Sequence, residues 1–180
     1  MSDTEDDRDR RLAFAIPPSV TSSEPGTEFL DPADPDDRAF LIRAAHPELD
    51  VELETVVVDG REINPRLHLT MHEIVAAQLA DHDPPEVWTT AQRLRGLGYD
   101  HHEVLHMLGA PMTGQLWAAL HDQRECDVEA HRAALAALPE SWERERPGGP
   151  APPPARAAHA ADARKRRKAE RAARRRNRRR

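Results

Sequence analysis

Two pairs of histidines carry the clearest chemistry in this sequence. His68 and His72 are four residues apart, and so are His102 and His106. On an α-helix that spacing stacks two imidazoles on one face, with Cβ atoms about 6 Å apart. Both rings can then reach a single divalent ion at ~2.1 Å. Two such helices packed face to face would offer four nitrogen ligands, with Glu73 or Glu103 as further carboxylate donors. Such a site suits zinc, iron or manganese, and the residue types do not choose among them. The competing reading is structural. A chain with ten histidines produces on the order of half such a pair by chance, and a carbonyl or carboxylate can satisfy a buried neutral imidazole.

The second pair also reads His102-Glu103-Val104-Leu105-His106, the HExxH pattern. In zinc hydrolases the two histidines bind the ion and the glutamate acts as general base on its water. Glu103 is the one catalytic candidate on that reading. Three features oppose it. Met112 stands where the extended pattern needs a third histidine, Asp100 is charged where an uncharged residue is usual, and Glu103 has a competing use as a helix-capping partner. Glu125 or Glu129 would be a distant third ligand. Enzymatic activity is therefore the least supported expectation.

The elements that must position these residues are helices. Asp34-Pro35-Asp36-Asp37 offers an N-cap acceptor, a proline at the first helical position and acids at the positive helix end. Phe40, Leu41, Ala44 and Ala45 give that helix a buried side, and Pro47 stops it. Asn64-Pro65 starts a second helix through about Ala80, on which His68, His72, Val75 and Leu79 share one arc. Asp83-Pro84-Pro85 leads into a third, with Val87, Trp88, Ala91 and Leu94, closed by Gly96 and Gly98. Asp100 and Glu103 form a capping box for a fourth. Its stripe runs His102, His106, Thr113, Leu116, Trp117, if it continues past Pro111, a residue expected to break or kink it. A last helix is expected over Asp127–Leu138, stopped by Pro139. Val51–Val58, before Asp59-Gly60, is β-branched enough for a short hairpin or an extended segment within 51–63. The fold class is mostly α, a small helical bundle.

Around this core the composition changes. Residues 1–33 are acidic, rich in Pro, Ser and Gly, and expected to be disordered, with Leu12–Ile16 a patch able to dock on the domain. The helical domain is set at 34–142, followed by a Pro/Ala-rich linker at 143–162 and a basic tail at 163–180, so both tails are expected to lack structure. The net charge of −6 conceals this polarity. The tail holds Arg164, Lys165, Arg166, Arg167, Lys168, Arg171, Arg174, Arg175, Arg176, Arg178, Arg179 and Arg180 against one acid, Glu170. Such a run favours a polyanion, RNA or DNA, through counterion release. It has no aromatic residue, so stacking on bases and sequence specificity are not expected. A non-catalytic nucleic-acid-binding protein acting through this tail is the alternative function, and a tail folded on the acidic domain is its bland counterpart.

Cys126 is the single cysteine, which excludes an intramolecular disulfide and cysteine-based zinc motifs. No apolar run approaches the ~20 residues of a membrane helix, and the acidic N-terminus lacks a signal core. A cytoplasmic bacterial protein is expected, with no membrane partner. The residues do not indicate an oligomeric state.

Several of these motifs occur together. The stretch Asn64-Pro-Arg-Leu-His68-Leu-Thr-Met-His72 is followed by Gln78, Asp83-Pro-Pro, His102-x-x-x-His106 and Leu116-Trp117. In this combination, over about residues 35–137, the chain resembles the uncharacterised bacterial family called domain of unknown function 1841. The resemblance implies that the four histidines are family features, while the family offers no activity to carry over. Two positions depart from its pattern. Ala110 stands where the family has a glutamate, and Ala77 where a glutamate would precede Gln78. These departures imply an altered site or one without catalysis.

Overall fold

The computed structural model of the protein describes residues 4–18, 27–58, 61–122 and 125–145. The chain folds mostly into α-helices, and their starts follow local chemistry. Helix α2 (Pro35–Ala44) begins at Asp34, whose carboxylate accepts the N–H groups of Asp36 and Asp37 at 2.9 and 3.2 Å. Helix α3 (Pro65–Asp81) begins at Asn64, whose side chain accepts from Leu67 N–H at 2.9 Å. Helix α6 (Val128–Ala136) is capped by Asp127 on Ala130 N–H at 2.9 Å. Each cap satisfies amide donors that a helix leaves orphaned at its start. Helix α4 (Glu86–Gly96) follows Pro84-Pro85 with no side-chain cap.

The strand-like stretch is a short hairpin. Strand β1 (Val56–Val58) pairs antiparallel with β2 (Arg61–Ile63), Val56 opposite Ile63. Residues 51–54 form turns and bends instead of extending the strand. The hairpin leans on the helices through Val56, Val58 and Ile63, which a marginal two-stranded unit requires.

Three expectations need correction. First, Pro111 does not end the fourth helix. Helix α5 runs from His101 to Asp122 with Pro111 inside it. A proline there removes one hydrogen bond, but Val104, Leu105, Met107, Leu108 and Met112 are buried along the same helix and hold it against its neighbours. The buried stripe does not continue as expected, since Thr113 is exposed; the side chain of Trp117 lies outside the described residues.

Second, the N-terminal segment is not wholly without structure. Glu5–Ala15 forms helix α1, capped by Thr4, and packs along α3. The docking patch Leu12–Ile16 does enter the core, through Leu12, Ala15 and Ile16. Arg11 goes in with it, 1% exposed, and its Nε donates to the carbonyl of Leu79 at 2.8 Å. Leu79 lies in the last turn of α3, where carbonyls lack helical partners, so the guanidinium supplies a cap.

Third, α6 does stop before Pro139, but the helical structure does not end there. A further helix, α7 (Glu140–Glu145), follows it. Tyr99 O–H donates to the Glu143 carboxylate, tying α7 to the corner between α4 and α5. Arg93 reinforces the same region by donating to the carbonyls of Leu138 and Leu135 at 2.6 and 3.1 Å. The remaining linker and the basic tail at 163–180, with its nucleic-acid candidates, lie outside the described residues.

Helices α3 and α5 form the centre. Val75, Ala76 and Leu79 of α3 meet Val104, Met107 and Leu108 of α5, with Val87, Ala91 and Leu94 of α4 and Leu135 completing one core. Each Val, Leu or Met side chain among them contributes about 1.5–3 kcal/mol on burial. That packing fixes the mutual rotation of α3 and α5, and therefore the direction in which their histidines point. No described helix is long and apolar enough to cross a membrane.

Candidate metal centre

The two histidine pairs do converge. Asn64 and Pro65 set the start of α3, which places His68 and His72 one turn apart on the side facing α5. Asp100 sets the start of α5 by accepting His102 N–H at 2.9 Å. Burial works against the charged form of Asp100, but the amides of His102, Glu103 and His101 outweigh it and hold the carboxyl below its ordinary range. One turn further on, His106 joins His102, with ring centroids 4.4 Å apart.

A fifth imidazole completes the group, and the histidine-pair pattern missed it. His46 lies just beyond α2, 2% exposed. The ring donors of His46, His68, His72, His102 and His106 all lie within 4.8 Å of one another. His72 is the hub: its ring centroid is 4.5–5.1 Å from those of the other four. A divalent ion with ~2.1 Å bonds places adjacent donors about 3.0 Å apart and opposite donors about 4.2 Å apart. The observed span of 4.8 Å exceeds that by up to about 0.6 Å for ~2.1 Å bonds, so this buried cluster could hold a metal ion after contraction.

The hydrogen bonding orients the lone pairs inward. His46 Nδ1 is 2.7 Å from the carbonyl of Ile42. A carbonyl only accepts, so Nδ1 carries a proton, and Nε2 is the ring nitrogen turned toward the cluster. That is the outer-shell bond typical of ligating histidines. The Nε2 atoms of His68 and His72 are buried without a hydrogen-bond partner among the described residues. Leaving such an atom unsatisfied costs ~1–3 kcal/mol.

Protonation does not relieve this cost. Burial, then the neighbouring His46 and His102, lower the His68 pKa to about 4. Burial acts still more strongly on His72, followed by His106 and the other three rings, and pushes it far below the ordinary imidazole range. His102 is lowered by burial and by His46, against the pull of Asp100 and Glu48. His68, His72 and His102 are thereby held as neutral nitrogen donors near neutral pH.

Among the described residues, no carboxylate shares the point of convergence. Glu73 and Glu103 are not members of the converging group. Glu125 is exposed, and Glu129 pairs with Arg132 at 2.8 Å on the surface. The HExxH histidines face three further imidazoles, where a zinc hydrolase keeps an open coordination place. Gln78 sits apart from the cluster, its amide 3.3 Å from His131 Nε2 and close to Met112 Sδ. His101 points the other way, stacked on Phe14 at 4.1 Å, and its Nε2 donates to the Phe14 carbonyl at 2.7 Å.

Beside the cluster lies a cavity of about 360 Å³. His68, His72 and His106 form one wall, and Ile63, Met71, Leu105, Gly109, Ala110 and Trp142 form most of the remainder. Ala110, where the family resemblance implies a glutamate, therefore faces this space with a methyl group only.

Fold and site together define a small helical domain built around a histidine cage. The chain belongs to the family described as Domain of unknown function (DUF1841), whose model matches residues 35–137. That segment contains all five histidines, while α1 and α7 lie outside it. No curated protein matches the chain, and no solved structure does.

Proposed function

We propose that this protein is a metal-binding protein whose centre is a divalent transition-metal ion held by His46, His68, His72, His102 and His106. The observation that carries the reading is the convergence of five imidazole donors within 4.8 Å. Without an ion, the buried Nε2 atoms of His68 and His72 lack hydrogen-bond partners among the described residues. One Lewis acid at the centre satisfies the group at once.

The donor set also narrows the ion. Manganese prefers carboxylate and water ligands, whereas imidazole suits zinc, copper, iron and nickel. Closed structural zinc sites take four donors. Five nitrogens favour an ion that accepts five or six, namely iron, nickel or copper. Enzymatic hydrolysis by an HExxH mechanism is not part of this reading, because His102 and His106 converge with three further imidazoles in place of the three-ligand set of a catalytic zinc site.

Elemental analysis of untagged protein, followed by titration of the chelated protein with iron(II), nickel(II), copper(II) and zinc(II), tests the proposal. About one equivalent of ion is expected per chain, lost in His72→Ala, since His72 contacts every other ring. A protein that takes up none of these ions, and whose stability ignores chelator, would overturn it.

A further inference from the structure

The cavity on the His68–His72–His106 side gives the metal centre a second half. We infer that it binds a small monocarboxylate with an apolar body, the carboxylate adding to the ion as its sixth donor. This rests on the metal reading above. A divalent ion surrounded by neutral imidazoles keeps its full charge, since the converging group contains no carboxylate. An anionic head is the donor that offsets part of that charge, and the attraction is stronger between the protein walls than in bulk water.

The rest of the ligand follows from the wall chemistry. Beyond the three imidazoles the cavity is lined by Ile63, Met71, Leu105, Ala110 and Trp142, which favours hydrocarbon. Its volume, about 360 Å³, is at the small end of the ~300–1,000 Å³ usual for small-molecule sites. Two exposed polar residues, Glu62 and Thr113, also line it. Glu62 would repel a second carboxylate at the outer end, so a monoacid is preferred over a diacid.

The test uses the full chain loaded with cobalt(II), whose visible spectrum reports on its donors. Hexanoate, acetate and adipate are titrated in turn. Hexanoate should perturb the spectrum with an affinity about tenfold or more above that of acetate, because its additional methylenes are buried. Adipate should bind more weakly than hexanoate. Ala110→Leu, which fills the cavity, should reduce hexanoate to the level of acetate without loss of cobalt, and Thr113→Trp at an exposed position gives a second obstruction should the first variant not fold. Equal affinity for acetate and hexanoate, or bound cobalt with no response to either, would overturn this inference alone. Failure to bind any ion would overturn the metal centre and this inference with it.

Discussion

The Nε2 atoms of His46 and His102 lie 3.0 Å apart, although the two residues are 56 positions distant in the chain. That separation matches two donors at a right angle on a common ion with ~2.1 Å bonds. Because the Ile42 carbonyl fixes a proton of His46 on Nδ1, Nε2 is the atom that His46 presents to the site as a donor. His46→Ala and His102→Ala should therefore each weaken metal binding. Loss of an outer-shell partner alone costs about 10–100-fold, so loss of a direct donor should cost at least that. Glu103→Gln should leave affinity unchanged. Calorimetric titration of the three variants measures this, and retention of full affinity in His46→Ala would remove it from the site.

Metal should also stabilise the fold, since the ligands come from α3, α5 and the end of α2 and are not assembled in the unfolded chain. Free ion at about 100 times its dissociation constant adds ~2.7 kcal/mol. For a chain of this size that raises the melting temperature on the order of 5–10 °C. A thermal melt with and without chelator reads the shift, and coincident curves would contradict it.

The metal-free protein should be acid-sensitive over a defined window. The unfolded chain protonates His68 near its ordinary 6.5, whereas the native state resists until about 4. Between those values the unfolded state binds more protons, so stability falls as pH drops. Above about 6.5 the contribution is fully present, and below about 4 the His68 part is exhausted. His72 and His102, lowered in the same direction, add to the loss. Urea midpoints measured from pH 7.5 to 4 should decline through this range, and a flat profile between 7 and 5 would count against neutral, buried rings.

The Arg11 cap gives a prediction independent of metal. Arg11→Met keeps much of the buried volume but leaves the Leu79 carbonyl without the Nε donor, at 2.8 Å in the native protein. A buried acceptor deprived of its partner costs ~1–3 kcal/mol. Denaturant unfolding should show a loss of that size. No loss would mean that α1 docks on α3 through Leu12, Ala15 and Ile16 alone.

Much of this architecture was legible without coordinates because its signals are local. Asp34-Pro35, Asn64-Pro65, Asp100 and Asp127 each announce a helix start through a side chain that reaches an amide only two or three residues away. Helical periodicity then puts His68 beside His72 and His102 beside His106, since rotation per residue is set by backbone sterics. Only the tertiary structure decided the rest. His46 has no histidine one turn away on either side, and it joins the site only because the end of α2 is carried against α3 and α5. Arg11 reads as a solvated charge until Leu79 supplies a buried acceptor 68 residues on. Pro111 reads as a helix break until the buried neighbours along α5 outweigh one missing hydrogen bond. In each case the deciding energy comes from residues far apart in the chain, and local pattern carries no record of it.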